Sequence, residues 1–227
     1  MIPAGTKIEK GASNDTARAL RRQAFVDAAR DGFFANGYGA TTMSSIAAKV
    51  GGSKTTLWAY FPSKEDLFAA VIDDIVERYS AALRIELDPN DAVEAVLRRF
   101  GSALMTTILS EQIIALHRLV IGEALRFPEL GVIFYERGPK RGKARLAKFI
   151  EGAMADGRLR HGDAMLATRQ FTGLCQAGRF HEVLVGIVGF SDAALGQHDV
   201  DAAVDSFMRA WAADRAAPAS SSQRALG

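Results

Sequence analysis

Residues able to do chemistry gather in two parts of this chain. Between Thr41 and Phe61, in TTMSSIAAKVGGSKTTLWAYF, hydroxyls, lysines and aromatics interleave with apolar residues. That mixture suits hydrogen bonding to phosphates and base edges. Further on, His117-Arg118 and Cys175, Gln176, Arg179, Phe180, His181 and Glu182 set polar groups among apolar ones. Catalysis finds little support in either. A thiol–imidazole pair of Cys175 with His181 and Glu182 would need groups six residues apart on one helix to meet, beyond the usual i, i+4 neighbours. The cysteine reads as a buried structural residue. His117, His161, His181 and His198 show no paired metal spacing. Gly37-x-Gly39 lacks a preceding strand and a third glycine, and no Walker-type loop exists. The expectation is a protein that is not an enzyme, with no catalytic residues, no metal and no cofactor.

The elements that must position the first group are short. From Thr42 to Val50, Met43, Ile46, Ala47 and Val50 share one helical face, and Thr42, Ser44 and Ser45 point elsewhere. Gly51-Gly52 supplies a turn where positive φ costs little, and Ser53 is placed to N-cap a second helix with Leu57 and Phe61 on its inner side. Two helices across a tight glycine turn make a helix-turn-helix, whose second helix enters the DNA major groove. Lys54, Thr55, Thr56, Trp58 and Tyr60 project outward from it. A preceding helix, about Asp15 to Asn36, carries Phe25, Ala29 and Phe33 inward, and Gly37 stops it.

From Arg22 to Phe68 the chain resembles the DNA-binding domain of the TetR family of bacterial transcriptional regulators. Gly37-Tyr38, Thr41-Thr42, Ile46-Ala47, Gly51, Ser53, Leu57, Tyr60-Phe61, Lys64-Glu65 and Leu67 fall in register. Departures are Gly52 for the usual valine, Trp58 for tyrosine and Gly32 for an apolar side chain. A weaker likeness from Arg118 to about Gly189, in RLVIGEALRFPEL and FYERGP, resembles the effector-binding half of an AefR-like branch. The resemblance implies a homodimeric repressor on a double-stranded, palindromic operator, released by a small apolar or aromatic effector. The expected DNA-binding set is Arg21, Arg22, Thr42, Ser44, Ser53, Lys54, Thr55, Thr56, Trp58, Tyr60 and Lys64, with Thr42, Tyr60 and Lys64 directed at phosphates.

Charge distribution agrees. The net charge is only +2, yet residues 1–66 hold nine Lys and Arg against six Asp and Glu, and the rest nineteen against twenty. The positive excess sits with the helix-turn-helix. A hydrophobic content of 48% with 24% charged residues is ordinary for a soluble globular protein. A single cysteine excludes an internal disulfide, no leader opens the chain, and no apolar run reaches the roughly 20 residues a membrane span needs. The expected site is the cytoplasm, where the sequon Asn14-Asp15-Thr16 has no role, and no membrane partner is expected.

The remaining pattern predicts an all-α fold of about nine helices: a three-helix head over residues 15–62 and a ligand-binding and dimerisation body over 63–215. A disordered arm is expected over 1–14 and a disordered tail over 216–227. The fourth helix should run from Ser63 to about Leu87, and Asp91 with Glu94 should cap a fifth. Later helices are expected at Glu111 to Phe127, Glu129 to Ala155 with a kink or break at Gly138-Pro139, Asp163 to Val188, and Asp199 to Asp214, after a loop GFSDAALGQHD. The basic run from Arg137 to Lys148 reads as a solvated face.

Two further sites follow from that layout. Phe100, Leu104, His117, Ile121, Phe134 and Phe149 should face the bundle interior together with Phe171, Cys175 and Phe180. Arg118, Gln176 and Arg179 would be unusual core fillers, and a cavity with a few polar anchors is the usual form of a small-molecule site. Val200, Val204, Phe207 and Trp211 form a stripe expected at a dimer seam, helped by Gly173, Ala177 and Gly178. The competing readings are a helical enzyme with its site in the body and a constitutive DNA-binding protein without effector.

Overall fold

The computed structural model describes residues 6–189 and 195–213; the expected tail, and the arm before Thr6, lie outside them. Among the described residues the fold is all-α. Helix α1 spans Thr6–Asn36, α2 Met43–Lys49, α3 Lys54–Tyr60 and α4 Lys64–Tyr79, followed by a 3-10 turn at Ala81–Leu83. Then come α5 Val93–Ile108, α6 Glu111–Glu123, α7 Pro128–Arg137, α8 Pro139–Ala155, α9 Ala164–Cys175, α10 Arg179–Leu184 and α11 Leu195–Trp211.

Two hydrophobic cores hold these helices. In the first, Phe25, Phe33, Tyr38, Ile46, Leu57 and Phe61 of the head meet Leu67, Phe68, Ile72 and Ile75 of α4. Leu116 and Val120 of α6 and Leu130 of α7 close it from the other side. The second joins Val96, Leu97 and Phe100 of α5 to Leu146, Phe149 and Ile150 of α8, Phe171 and Cys175 of α9, and Val200, Val204 and Phe207 of α11. A half-buried polar contact pins α1 to α4: Asp74 Oδ1 accepts from Gln23 Nε2 at 2.8 Å and also from Arg78 Nη2 of its own helix at 2.8 Å.

Several expected boundaries move, each for a local reason. Helix α1 starts at Thr6, so residues 6–14 are helical where an arm was expected; Gly11 alone there costs a helix about 1 kcal/mol. Helix α4 stops at Tyr79 because the backbone beyond it is captured sideways: Thr107 Oγ1 accepts the Ala82 N–H, and Arg145 donates to the carbonyls of Ala82 (3.0 Å) and Ile85 (2.6 Å). Asp91 pairs with Arg99 and leaves Ala92 as an N-cap without a side-chain bond, so it does not cap α5. Helix α6 ends at Glu123, short of Phe127.

The chain breaks at Gly138, so Pro139 opens α8, where its missing N–H is no loss. A second break, not expected, divides α9 from α10 at Gln176–Gly178. Asp199 Oδ2 there accepts the Arg179 N–H at 3.1 Å, and a Cβ on Gly178 would lie 2.9 Å from Asp199 Oδ1. These two breaks turn the nine expected helices into eleven among the described residues. Helix α11 starts at Leu195, inside the expected loop, where Gly196 lets it approach Met105 of α5.

Candidate nucleic-acid interface and effector cavity

The head is built by its caps. Thr42 Oγ1 accepts the Ser45 N–H at 3.1 Å, and Ser45 Oγ accepts the Thr42 N–H at 3.1 Å, a reciprocal box that starts α2. Gly51, at φ +69°, makes the turn in a conformation L side chains rarely adopt. Ser53 Oγ then accepts the Thr56 N–H at 3.0 Å and opens α3. Leu57 is fully buried beneath this helix, and Lys54, Thr55 and Trp58 are exposed on its outer side, as are Ser44 on α2 and its N-cap Thr42. Trp58 is 41% exposed, a large indole surface left outside the core.

Helix α1 adds a basic edge to the same head. The Arg22 guanidinium lies 4.9 Å from the Phe61 ring centroid and Arg18 5.8 Å from that of Tyr60. Arg21 reaches towards Gly52, where a Cβ would stand 3.1 Å from its Nη2. Arg21 and Arg22 are exposed, and Tyr60 is half-buried against Phe25. Arg18 was not among the expected contacts; its signal is the i, i+3/i+4 spacing to Arg21 and Arg22.

Lys64 departs from expectation. Its ammonium donates to the Tyr38 carbonyl and sits 4.1 Å from the Tyr38 ring centroid, and burial pushes its pKa down. It is a brace within the head–body joint instead of a group held out towards phosphate. Tyr38 donates to Glu65 Oε1 at 3.2 Å, its ring meets Phe127 at 5.1 Å, and burial, first, with the Glu65 charge raises its pKa. Glu123 completes the joint by accepting the Gly39 N–H at 3.1 Å. The end of α6 is thereby hydrogen-bonded to the loop that precedes α2.

A cavity of about 260 Å³ opens in the body between the end of α4, the 3-10 turn, α5, α6, the α7/α8 break and α9. Of the expected lining, Phe100, Leu104, His117, Phe134 and Gln176 are there. Phe149, Phe171 and Cys175 are not: they belong to the second core, and burial pushes the Cys175 thiol up to about 12. Phe180 stands behind His117, ring centroids 5.3 Å apart. Ile121 points out, 62% exposed, and Arg118 ties α6 to the end of α10 through the carbonyls of Leu184 and Val183. Arg179 pairs with Glu182 and lines a different cleft, between α5 and α11. Sequence reasoning missed Thr107 of α5 and Thr172 of α9, and also Ser80, Tyr135 and Lys143, which the α4 and α7 breaks bring in.

His117 Nδ1 lies 2.8 Å from the Ile113 carbonyl, which can only accept, so this nitrogen carries the proton. Burial lowers the His117 pKa from 6.5, outweighing that bond. A depressed folded-state value means the unfolded chain binds the extra proton first on acidification. The contribution to stability is therefore complete above pH 6.5 and is lost as pH falls towards the lowered value. Urea unfolding at pH 7.5 and 5 should show a larger loss for the native protein than for His117→Phe; parallel losses would contradict a neutral buried imidazole.

The expected dimer stripe is resolved differently. Val200, Val204 and Phe207 are 0%, 0% and 1% exposed inside one chain, and Trp211 stacks on Phe207 and donates to Gln170 Oε1 at 2.8 Å. They are core, filled by their own chain. Gly178 is held against Asp199. Gly173 is exposed on α9, on an outer face that also carries Met165, Leu166 and Leu174, and Ala177 is exposed in the break just beyond it.

Comparison with known proteins agrees with this geometry. Residues 25–71 match the family described as bacterial regulatory proteins, tetR family, and residues 95–213, over half the chain, match the AefR-like transcriptional repressor C-terminal domain. The chain belongs to the TetR family. Among curated TetR-family relatives, the Escherichia coli (strain K12) repressor ComR is 30% identical over 95 residues, 41% of this chain and 45% of its own length. The regulator RutR from the same strain is 36% identical over 83 residues, 35% of this chain and 39% of its own. The chain thus spans less than half the length of these relatives. Among solved TetR-family structures, the flavonoid-responsive regulator FrrA superposes with a TM-score of 0.77 at 32% identity, over 87% of this chain and 100% of that one. A regulator from Mesorhizobium loti gives 0.69 at 28%, over 86% and 98%. Among the described residues, no single helix is long and apolar enough to cross a membrane, and no group of three or more His, Cys, Asp or Glu is placed to hold a metal.

Proposed function

We propose that this protein is a dimeric transcriptional repressor that binds a palindromic DNA operator and is released by a small aromatic effector. The observation that carries the reading is one helix, α6, which lines the body cavity with His117 and holds the head loop with Glu123. FrrA, described as flavonoid-responsive, supports an aromatic effector. Base reading falls to Lys54, Thr55, Thr56 and Trp58, and phosphate positioning to Arg21, Arg22, Thr42, Ser44, Ser53 and Tyr60. Dimerisation uses the outer face of α9. The reading places the protein in the cytoplasm.

Selection of genomic fragments by the purified protein, then footprinting, tests this. Two protected half-sites should lie one helical turn or a multiple apart, roughly 34–36 Å per turn. On that operator Thr55→Ala should lose roughly 1–3 kcal/mol and relax specificity at one base pair, and Arg22→Ala should weaken all sequences alike and lower the salt slope by about 1. Unchanged affinity in both variants would remove this surface from the DNA interface.

A further inference from the structure

We propose that the body cavity selects a neutral phenol: an aromatic ring held between Phe100 and Phe134 whose hydroxyl donates its proton to His117 Nε2. The inference rests on the effector reading above and specifies the chemistry of the same cavity.

Two polar atoms left open in this cavity, on His117 and Gln176, are acceptors. His117 spends its Nδ1–H on the Ile113 carbonyl, so in the neutral ring Nε2 carries only a lone pair. No residue among those described bonds this nitrogen, and it is not a buried, unpartnered atom, so it is accessible to a bound molecule. Gln176 repeats the pattern: its Nε2 donates to the Thr172 carbonyl at 2.9 Å, which leaves Oε1 to accept. The two threonine hydroxyls of the lining are already committed. Thr107 Oγ1 donates to the Ala103 carbonyl at 2.8 Å, and Thr172 Oγ1 donates to that of Thr168 at 3.0 Å. Ser80 Oγ, the Tyr135 hydroxyl and the Lys143 ammonium are the remaining donors of the lining among the described residues.

Such a site rewards hydroxyl protons. At His117 Nε2 and Gln176 Oε1 a ligand offering only carbonyl or ether oxygens would set lone pair against lone pair, and leaving a buried acceptor without a partner costs more than the bond returns. Charge narrows the class further. Lys143 is the one formal charge in the lining and no carboxylate accompanies it, so an aromatic cation gains no ion pair there. Burial keeps His117 neutral, hence an acceptor, at physiological pH. The rings of Phe134 and Phe180 meet His117 edge to face at 4.9 and 5.3 Å and fix its plane. A volume of about 260 Å³ sits at the small end of ligand pockets, which favours a compact aromatic skeleton.

The test is calorimetric titration of the full chain with 2-naphthol, which has the donor, and 2-methoxynaphthalene, which has the same skeleton without it. 2-Naphthol should bind at least tenfold more tightly. His117→Phe, checked for a native circular dichroism spectrum, should erase that preference and keep the affinity for the methyl ether; His117→Gln, whose amide oxygen can accept, should restore part of it. Equal affinity of the native protein for the two compounds, or a preference that survives in His117→Phe, overturns the phenol assignment and leaves the cavity standing. Failure of both compounds to bind overturns the assignment and the effector reading with it.

Discussion

Replacing Leu174 with glutamate should convert the protein to folded monomers whose operator affinity is lower by 10²- to 10⁴-fold. Leu174 is 38% exposed on the outer face of α9, beside Gly173, which has no side chain and lets a second helix come close. About a two-fold axis a residue on this face lies near its own copy, so each substitution opposes like charges across the seam. Loss of the second head removes the effective concentration that linkage supplies, which sets the magnitude. Phe207→Glu should behave differently. Its ring is 1% exposed and packs edge to face on Phe171 at 5.6 Å, so the variant should lose at least the roughly 3–5 kcal/mol of a large-to-small core change and melt early. Light scattering and thermal melting separate the two. A folded Phe207→Glu monomer together with a dimeric Leu174→Glu would move the interface back to the α11 stripe.

Operator DNA should weaken binding of a cavity ligand by the same factor, about 5- to 150-fold, by which that ligand weakens operator binding, a coupling of about 1–3 kcal/mol. The physical requirement is that the two prefer different head positions, because a ligand with equal affinity for both states shifts nothing. The route differs from a continuous fourth helix reaching Leu87. Helix α4 ends at Tyr79, and the turn after it, with Ser80 and Leu83, lines the cavity. Helix α6 supplies a second path, from His117 to the Glu123 carboxylate on the Gly39 amide and on to Phe127 against Tyr38. Calorimetry on the free protein and on the operator complex measures the factor, and Glu123→Ala should shrink it while leaving affinity for the free protein unchanged. Equal affinities in the two native titrations would disconnect the cavity from DNA binding.

Local rules were legible in the sequence wherever one residue type decides the outcome. Ser53, Ser63 and Gly51 had to cap or turn, and they do, which made the helix-turn-helix from Thr42 to Ser63 readable almost to the residue. The body was less readable because its breaks depend on distant partners. Nothing near Ser80 announces that Arg145 will take the carbonyls beyond it, and nothing near Gly178 announces Asp199. The same limit explains the stripe on α11. A spacing of 4, 3 and 4 residues marks a face that will be buried, yet a partner from the same chain and one from a second chain leave the same pattern. Lys64 shows the reverse error, since a lysine at a helix start reads as an anion contact until the ring beneath it, Tyr38, comes into view.

The first hydrophobic core takes no notice of Pro62. Phe33 and Tyr38 pack on Phe68 of α4 at 5.6 and 5.4 Å, and Phe127, from far along the chain, covers the other side of Tyr38. A chimera joined after Phe61 would therefore strip an aromatic cluster of its lid, whatever body it received. Grafts of this head onto another regulator need α4 to come with it and an aromatic kept opposite Tyr38. In evolutionary terms, a recombination that exchanged heads between relatives would keep this core only where the two parents agree at the joint.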